Sequence, residues 1–187
     1  MNKRLHIAHF TNTYHPFING VVRSVSVFRQ ALTDLGHNIF IFAQYASHFE
    51  DTEPFIFRYP AIELPISPAY ALPIPVSPFV DRLLPSLKLD VIHSHHPFLL
   101  GDAALRSAWA RRLPLVFTHH TLYEQYTRYV PLDSEAMVQR RAAWAGVRRS
   151  PTASKKARRF LSGACARRCR SGLQVVCPPN ISAMSFL

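Results

Sequence analysis

Residues Arg4–Ala43 read RLHIAHFTNTYHPFINGVVRSVSVFRQALTDLGHNIFIFA, and this stretch decides the fold. Its start, Arg4–Phe10, is a short apolar strand. Thr11–Gly20 follows as a loop of Thr, Asn, Pro and Gly, the residues that punctuate regular structure. Val21, Val25, Phe28, Leu32 and Leu35 then recur at spacings of three and four, the apolar stripe of a helix. Gly36 stands where a helix commonly stops, and Asn38–Ala43 is a second strand. A strand–loop–helix–strand unit of about 40 residues implies a parallel strand pair joined by a right-handed crossover.

The same alternation continues outward. Phe55–Tyr59 reads as a third strand. Pro60, Pro65, Pro68, Pro73, Pro75, Pro78 and Pro85 then exclude a long regular element, so Pro60–Pro78 is expected to be an extended surface loop exposing Ile, Leu, Tyr and Val side chains. Asp81–Leu87 is a short helix, Val91–Ile92 a brief buried strand, and Asp102–Arg112 a helix carrying Leu105, Ala108 and Trp109. Leu115–Phe117 is the next strand, and "LQVVCPP" (Leu173–Pro179) reads as a short buried strand followed by a turn. Strand and helix alternate throughout without an internal repeat. The fold class is therefore α/β, a Rossmann-like, doubly wound, largely parallel sheet.

With 187 residues, 48% of them hydrophobic, the chain is long enough for one domain with a real core. No run approaches the roughly 18–20 apolar residues of a membrane span. The basic start "MNKRLHIAHF" has its apolar stretch broken by His6 and His9, so no signal peptide is read and a cytoplasmic location is expected. The net charge of +11 is unevenly placed. Through Gln139 there are 11 basic and 11 acidic residues; from Arg140 onward there are 11 basic residues and no acidic one. The expected division is a neutral globular domain over 1–139 and a basic tail over 140–187, with a last strand at 173–177. Cys165, Cys169 and Cys177 all lie in that tail. Their odd number and the three residues within "CARRC" argue against a disulfide or a zinc ribbon.

Two histidine-bearing segments end hydrophobic runs: "DVIHSHHPFLLG" (Asp90–Gly101) and "PLVFTHHTLYEQY" (Pro114–Tyr126). His93, His95, His96, His119 and His120 are thereby expected where two strands end, the edge at which ligands bind open α/β sheets. Neither a metalloprotease helix pattern nor a nearby carboxylate completes a zinc set, so no metal is expected. Imidazoles can instead hydrogen-bond sugar hydroxyls or phosphate. His93, directly after Val91–Ile92, is the histidine expected to be buried and satisfied by backbone. Asn19 and Gly20 open the first helix, whose amino terminus suits a phosphate; the competing reading is a glycine that only eases a turn. Tyr123, Glu124 and Tyr126 offer rings and hydrogen-bonding groups suited to a carbohydrate or lipid head group. A helix face packing its tyrosines on the sheet is the alternative.

"FTNTYHPFINGVVRSV", the Gly-His of "LTDLGHNIFIFA", "DVIHSHHPFLLG" and "PLVFTHHTLYEQYTRYVP" together resemble the N-terminal half of family 4 retaining glycosyltransferases, which have the two-domain GT-B architecture. The resemblance runs in order from about His6 to Asp133 and is nearest to bacterial members that glycosylate diacylglycerol or phosphatidylinositol-type lipids. It implies a nucleotide-diphosphate sugar donor held between two Rossmann-like domains, no resident cofactor, and an acceptor on the N-terminal side. Gly20 matches the family glycine near the donor phosphates. His120 matches the histidine that contacts the donor sugar, the catalytic candidate, while His95 and His96 fall in the strand-end "HxH" motif. The family's donor-gripping basic pair and Glu-x7-Glu motif, which belong to the C-terminal domain, have no counterpart here.

The expectation is thus a truncated glycosyltransferase, inactive alone, whose residues after Gln139 are a frameshifted or disordered continuation. Its partners would be a nucleotide-sugar, a lipid acceptor and the inner face of a membrane. A second reading is a non-catalytic binding module whose basic tail holds anionic lipid or nucleic acid. Nucleic acid is the weaker option, since the cations lack interleaved aromatic residues for base stacking.

Overall fold

The computed structural model describes residues 4–64, 67–118, 120 and 173–176. Chain order is β1 (His6–Thr11), α1 (Gly20–Asp34), β2 (Asn38–Gln44), β3 (Ile56–Tyr59), β4 (Ala61–Leu64), β5 (Ser67–Pro73), α2 (Pro78–Leu83), β6 (Val91–Ser94), α3 (Leu100–Arg111), β7 (Leu115–Thr118) and β8 (Leu173–Val176). The main sheet has the order β3-β2-β1-β6-β7-β8. Five strands are parallel, as the βαβ reading requires, and β8 runs antiparallel along β7.

Helices cover both faces. Ala8, Phe10, Phe40, Phe42, Ile92, Leu115 and Phe117 point to the side filled by Val80 and Leu84 of the α2 segment and by Leu100, Ala103, Ala104 and Ala108 of α3. Ile7, Ile39, Ile41 and Ala43 point to the other side, against Val22, Val25 and Leu32 of α1. Period-two alternation along the strands therefore sorts side chains between two cores.

The α1 stripe holds at Val25, Phe28 and Leu32 and differs from the sequence expectation only at its two ends. Val22, not Val21, is buried with Val25, Phe28 and Leu32, and Leu35 is the exposed C-cap. Gly36 does end the helix, at φ 85°. In α3, Ala108 is buried while Trp109 is 56% exposed.

The proline-rich segment is not a loop throughout. β4 and β5 form a two-stranded antiparallel ribbon, with Ala61 opposite Pro73 and Ile62 opposite Leu72. A two-stranded ribbon is all edge, so Pro68 and Pro73 can occupy positions whose missing N–H breaks no ladder in a larger sheet. The expected exposure of apolar residues does hold at Ile62, Leu72, Ile74 and Val76, and Phe79 of α2 joins them.

Candidate functional site

Strand order reverses between β1 and β6. From β1 the chain moves outward through β2 to β3, then returns to place β6 and β7 on the other side. Such a switch point leaves a crevice at the carboxyl ends of the two central strands. Three segments converge there: the loop from β1 into α1, the loop from β6 into α3, and His120 after β7.

The first loop ends in a capped helix. Asn19 Oδ1 accepts from the backbone N–H of Val22 at 2.9 Å, and its Nδ2 donates to Thr13 Oγ1 at 3.0 Å. Gly20 is exposed, does not occupy the left-handed region, and a Cβ built on it would meet no atom within 4 Å. Neither backbone conformation nor crowding by the described residues calls for glycine at this position.

Asn12, passed over in the sequence as a loop former, joins the two loops. Its backbone N–H donates to His96 Nδ1 at 3.1 Å, its Nδ2 donates to Phe98 O at 3.1 Å, and its Oδ1 accepts from Leu100 N at 3.0 Å. Leu99, between those last two residues, has φ 55° and offers no side-chain cap to α3. Asn12 thus supplies from a distance both the cap of α3 and the grip on a strained residue. Gly101 completes the joint, since a Cβ there would lie 1.9 Å from His96 O. No local sequence signal marks Asn12, because its partners lie 84–88 residues away.

His9 of β1 stands opposite His93 of β6 in the parallel register. His93 and His95 share its strand face, so all three imidazoles sit under α1, where the Phe28 ring lies 5.1 Å from that of His93. His9, His93 and His95 are 0%, 3% and 1% exposed, so they belong to the sheet interior and not to an open edge. His93 is satisfied by the hydroxyl of Thr118 at 2.7 Å, a side chain and not the backbone partner expected. His9 Nδ1 lies 2.9 Å from His95 Nε2, and His95 Nδ1 lies 2.9 Å from His120 Nε2.

Electrostatics keep this row neutral. Burial, and secondarily the charge of Arg29, push His9 down to about 3. Burial, then neighbouring histidines, hold His93 and His95 well below the usual imidazole range. Partly exposed His96 is pushed down to about 3 by burial and by His120, and as acceptor of the Asn12 N–H it carries its own hydrogen on Nε2. Ring nitrogens of His9, His93 and His95 lie within 4.8 Å of one another, a spacing that could admit a metal ion. Both nitrogens of His95 are already engaged, however, so a metal would have to displace a hydrogen bond.

Of the sequence-predicted residues, Asn19, Gly20, His95, His96 and His120 gather around the switch point. Among these His95 is enclosed, with both nitrogens spent on other histidines. His9 was missed as a member of the group. His119, Tyr123, Glu124 and Tyr126 lie outside the described residues, as does the basic tail apart from β8. A shallow depression of about 410 Å³ lined by Leu84, Lys88, Leu89, Arg111 and Leu113 lies at the opposite edge of the sheet and shares no residue with this group.

Comparison with known proteins agrees with this architecture. The pattern of Glycosyltransferase Family 4 matches residues 18–178, crossing position 139 into the basic stretch. The chain is 35% identical over 129 residues to an alpha-monoglucosyldiacylglycerol synthase of Acholeplasma laidlawii, covering 67% of this chain and 32% of that protein. It is 28% identical over 141 residues to a protein of the same name from Streptococcus pneumoniae, covering 67% and 29%. A GDP-mannose-dependent alpha-mannosyltransferase of Corynebacterium glutamicum is 29% identical over 122 residues, covering 63% and 29%. The chain spans about a third of the length of these curated relatives. With the family pattern matched over most of its length and the α/β sheet to support it, the chain belongs to glycosyltransferase family 4.

Proposed function

We propose that this chain is the acceptor-side half of an enzyme that moves a hexose from a nucleoside-diphosphate sugar to a lipid acceptor, with retention at the sugar carbon. The observation that carries the reading is the switch point between β1 and β6, at which the β1–α1 loop leads to a capped helix start at Gly20 and His120 joins the histidines at the strand ends. A leaving nucleoside diphosphate develops negative charge, and amide N–H groups at a helix start can stabilise it where a glycine lets the phosphates approach. His120 would hydrogen-bond the transferring sugar. This chemistry needs no resident metal or cofactor, the nucleotide sugar being a substrate.

Lipid as acceptor is supported by the names of two relatives and by the apolar ribbon. Ile62, Leu72, Ile74, Val76 and Phe79 are 59%, 46%, 38%, 56% and 65% exposed along β4–β5 and the start of α2. The described helices include none long and apolar enough to cross a membrane. A surface that dips apolar side chains into the inner leaflet, without spanning it, fits both facts. The basic stretch from Arg140 would add attraction to anionic lipid.

The test is transfer of labelled sugar from nucleotide sugars to diacylglycerol in vesicles. The chain alone is expected to be inactive. Grafted onto the remaining two thirds of the A. laidlawii relative, it is expected to transfer, and His120→Ala is expected to abolish that activity. Turnover by the chain alone would refute dependence on a second domain. Full activity of the His120→Ala graft would refute the assignment of the site.

A further inference from the structure

Three imidazoles form a hydrogen-bonded file from the sheet interior to the crevice. His9 Nδ1 meets His95 Nε2 at 2.9 Å, His95 Nδ1 meets His120 Nε2 at 2.9 Å, and the rings of each pair are stacked. A neutral imidazole has one N–H and one lone pair. Fixing the direction of one bond in such a file therefore fixes the other, because a ring that accepts at one nitrogen must donate from its second.

The closed end decides the direction. His9 Nε2 is buried and has no hydrogen-bond partner among the described residues. If the file ran inward, from His120 to His9, that nitrogen would carry a hydrogen with no acceptor. If it runs outward, His9 donates from Nδ1 and only a lone pair is left unmatched. Orphaned buried N–H groups are rarer in folded proteins than under-satisfied acceptors, so the outward direction wins. The Phe28 ring, its centroid 6.2 Å from that of His9, gives the His9 ring an apolar neighbour.

We infer that His9 is a positioning residue which, through His95, holds His120 in the tautomer with its hydrogen on Nδ1, so that the ring edge not held by His95 presents a hydrogen-bond donor. The inference rests on the reading of His120 as the residue facing the nucleotide sugar. It deepens that reading by excluding a lone-pair base at the nitrogen not held by His95. Whatever group faces that nitrogen must be an acceptor, and a ligand atom that meets it would be a phosphate oxygen or a sugar hydroxyl oxygen. His9 itself touches no substrate.

The experiment is long-range proton–nitrogen NMR of the full chain with ring-labelled histidine at pH 7, without ligand. His9, His95 and His120 are each expected to carry hydrogen on Nδ1 and a bare Nε2. His9→Asn, whose amide can donate from the position of Nδ1, is expected to preserve the His120 signature; His9→Phe, which cannot donate, is expected to turn His120 into a tautomer mixture. In the grafted enzyme His9→Phe is expected to lower kcat about 10-fold with KM little changed, and His9→Asn to restore it. Hydrogen on Nε2 of His9 or His120 in the wild type would overturn the inference, as would an unchanged His120 in folded His9→Phe. So would stoichiometric Zn²⁺ displacing the Nδ1–H signals, which would mark a metal centre in place of the file. The wild-type spectrum decides even if His9→Phe does not fold. Because the spectra need no sugar transfer, expected tautomers combined with an active His120→Ala graft would refute the functional reading and leave the file standing.

Discussion

Acidification from pH 7.5 to 5.5 should remove much of this domain's stability, because its interior stores neutral imidazole. His9, His93 and His95 are almost completely enclosed, and burial lowers the proton affinity of each, His9 to about 3 and the other two well below the usual value. The unfolded chain takes up those protons near pH 6.5. Stability from this source is therefore fully present above about pH 6.5 and is lost as pH falls toward the folded-state values. Across the two units centred on 6.5, each histidine that stays neutral when folded costs about 1.4 kcal/mol, and three cost about 4 kcal/mol. His96, which keeps some solvent contact, adds at most about 1.4 kcal/mol more. A domain of this size has about 5–15 kcal/mol in all. Asp and Glu titrate mostly below this window, so they cannot mimic the loss. Urea unfolding followed by far-ultraviolet circular dichroism at half-unit pH steps would measure it. A slope at pH 5.5 corresponding to uptake of fewer than one proton on unfolding would refute the reasoning, and His9→Asn should shrink the loss by about 1.4 kcal/mol.

Gly101→Ala should destabilise by about 3 kcal/mol or more, since the added methyl meets the backbone carbonyl of His96 and cannot be relieved by a side-chain rotation; urea midpoints would show it, and a change under about 0.5 kcal/mol would contradict the packing described. Asn12→Ala removes two side-chain hydrogen bonds, one of them the cap of α3, with an expected cost of about 2 kcal/mol by the same measurement. Gly20→Ala should leave stability unchanged or raised by up to about 1 kcal/mol, because alanine is the better helix former and the space is open. In the grafted enzyme the same change should raise KM for the nucleotide sugar about 10-fold, and an unaltered KM would remove Gly20 from the phosphate site.

Much of the fold was legible because apolar spacing reports local geometry. The Ile7–Phe10 run, the stripe through Val25, Phe28 and Leu32 and the "NIFIFA" strand each carry their own period, and Gly36 marks the join. The proline segment misled because the rule against proline applies to helices and central strands and is relaxed in a ribbon with two free edges. The site was half legible. His95, His96 and His120 follow apolar runs and could be assigned to strand ends, but their surroundings depend on β1 lying beside β6, a pairing across 84 residues in sequence. That pairing turned His9, apparently an interruption in an apolar strand, into the inner member of the file and enclosed His95. Asn12 was beyond reach for the same reason, its role being fixed by what the fold brings to it.

The three hydrogen bonds through Asn12 have a mechanical consequence. They lock the entrance of α3 to the exit of β1, so the two loops flanking the switch point cannot separate without losing the clamp around Leu99. The floor of the switch point therefore behaves as an anvil: the two loops can shift only together, as one piece.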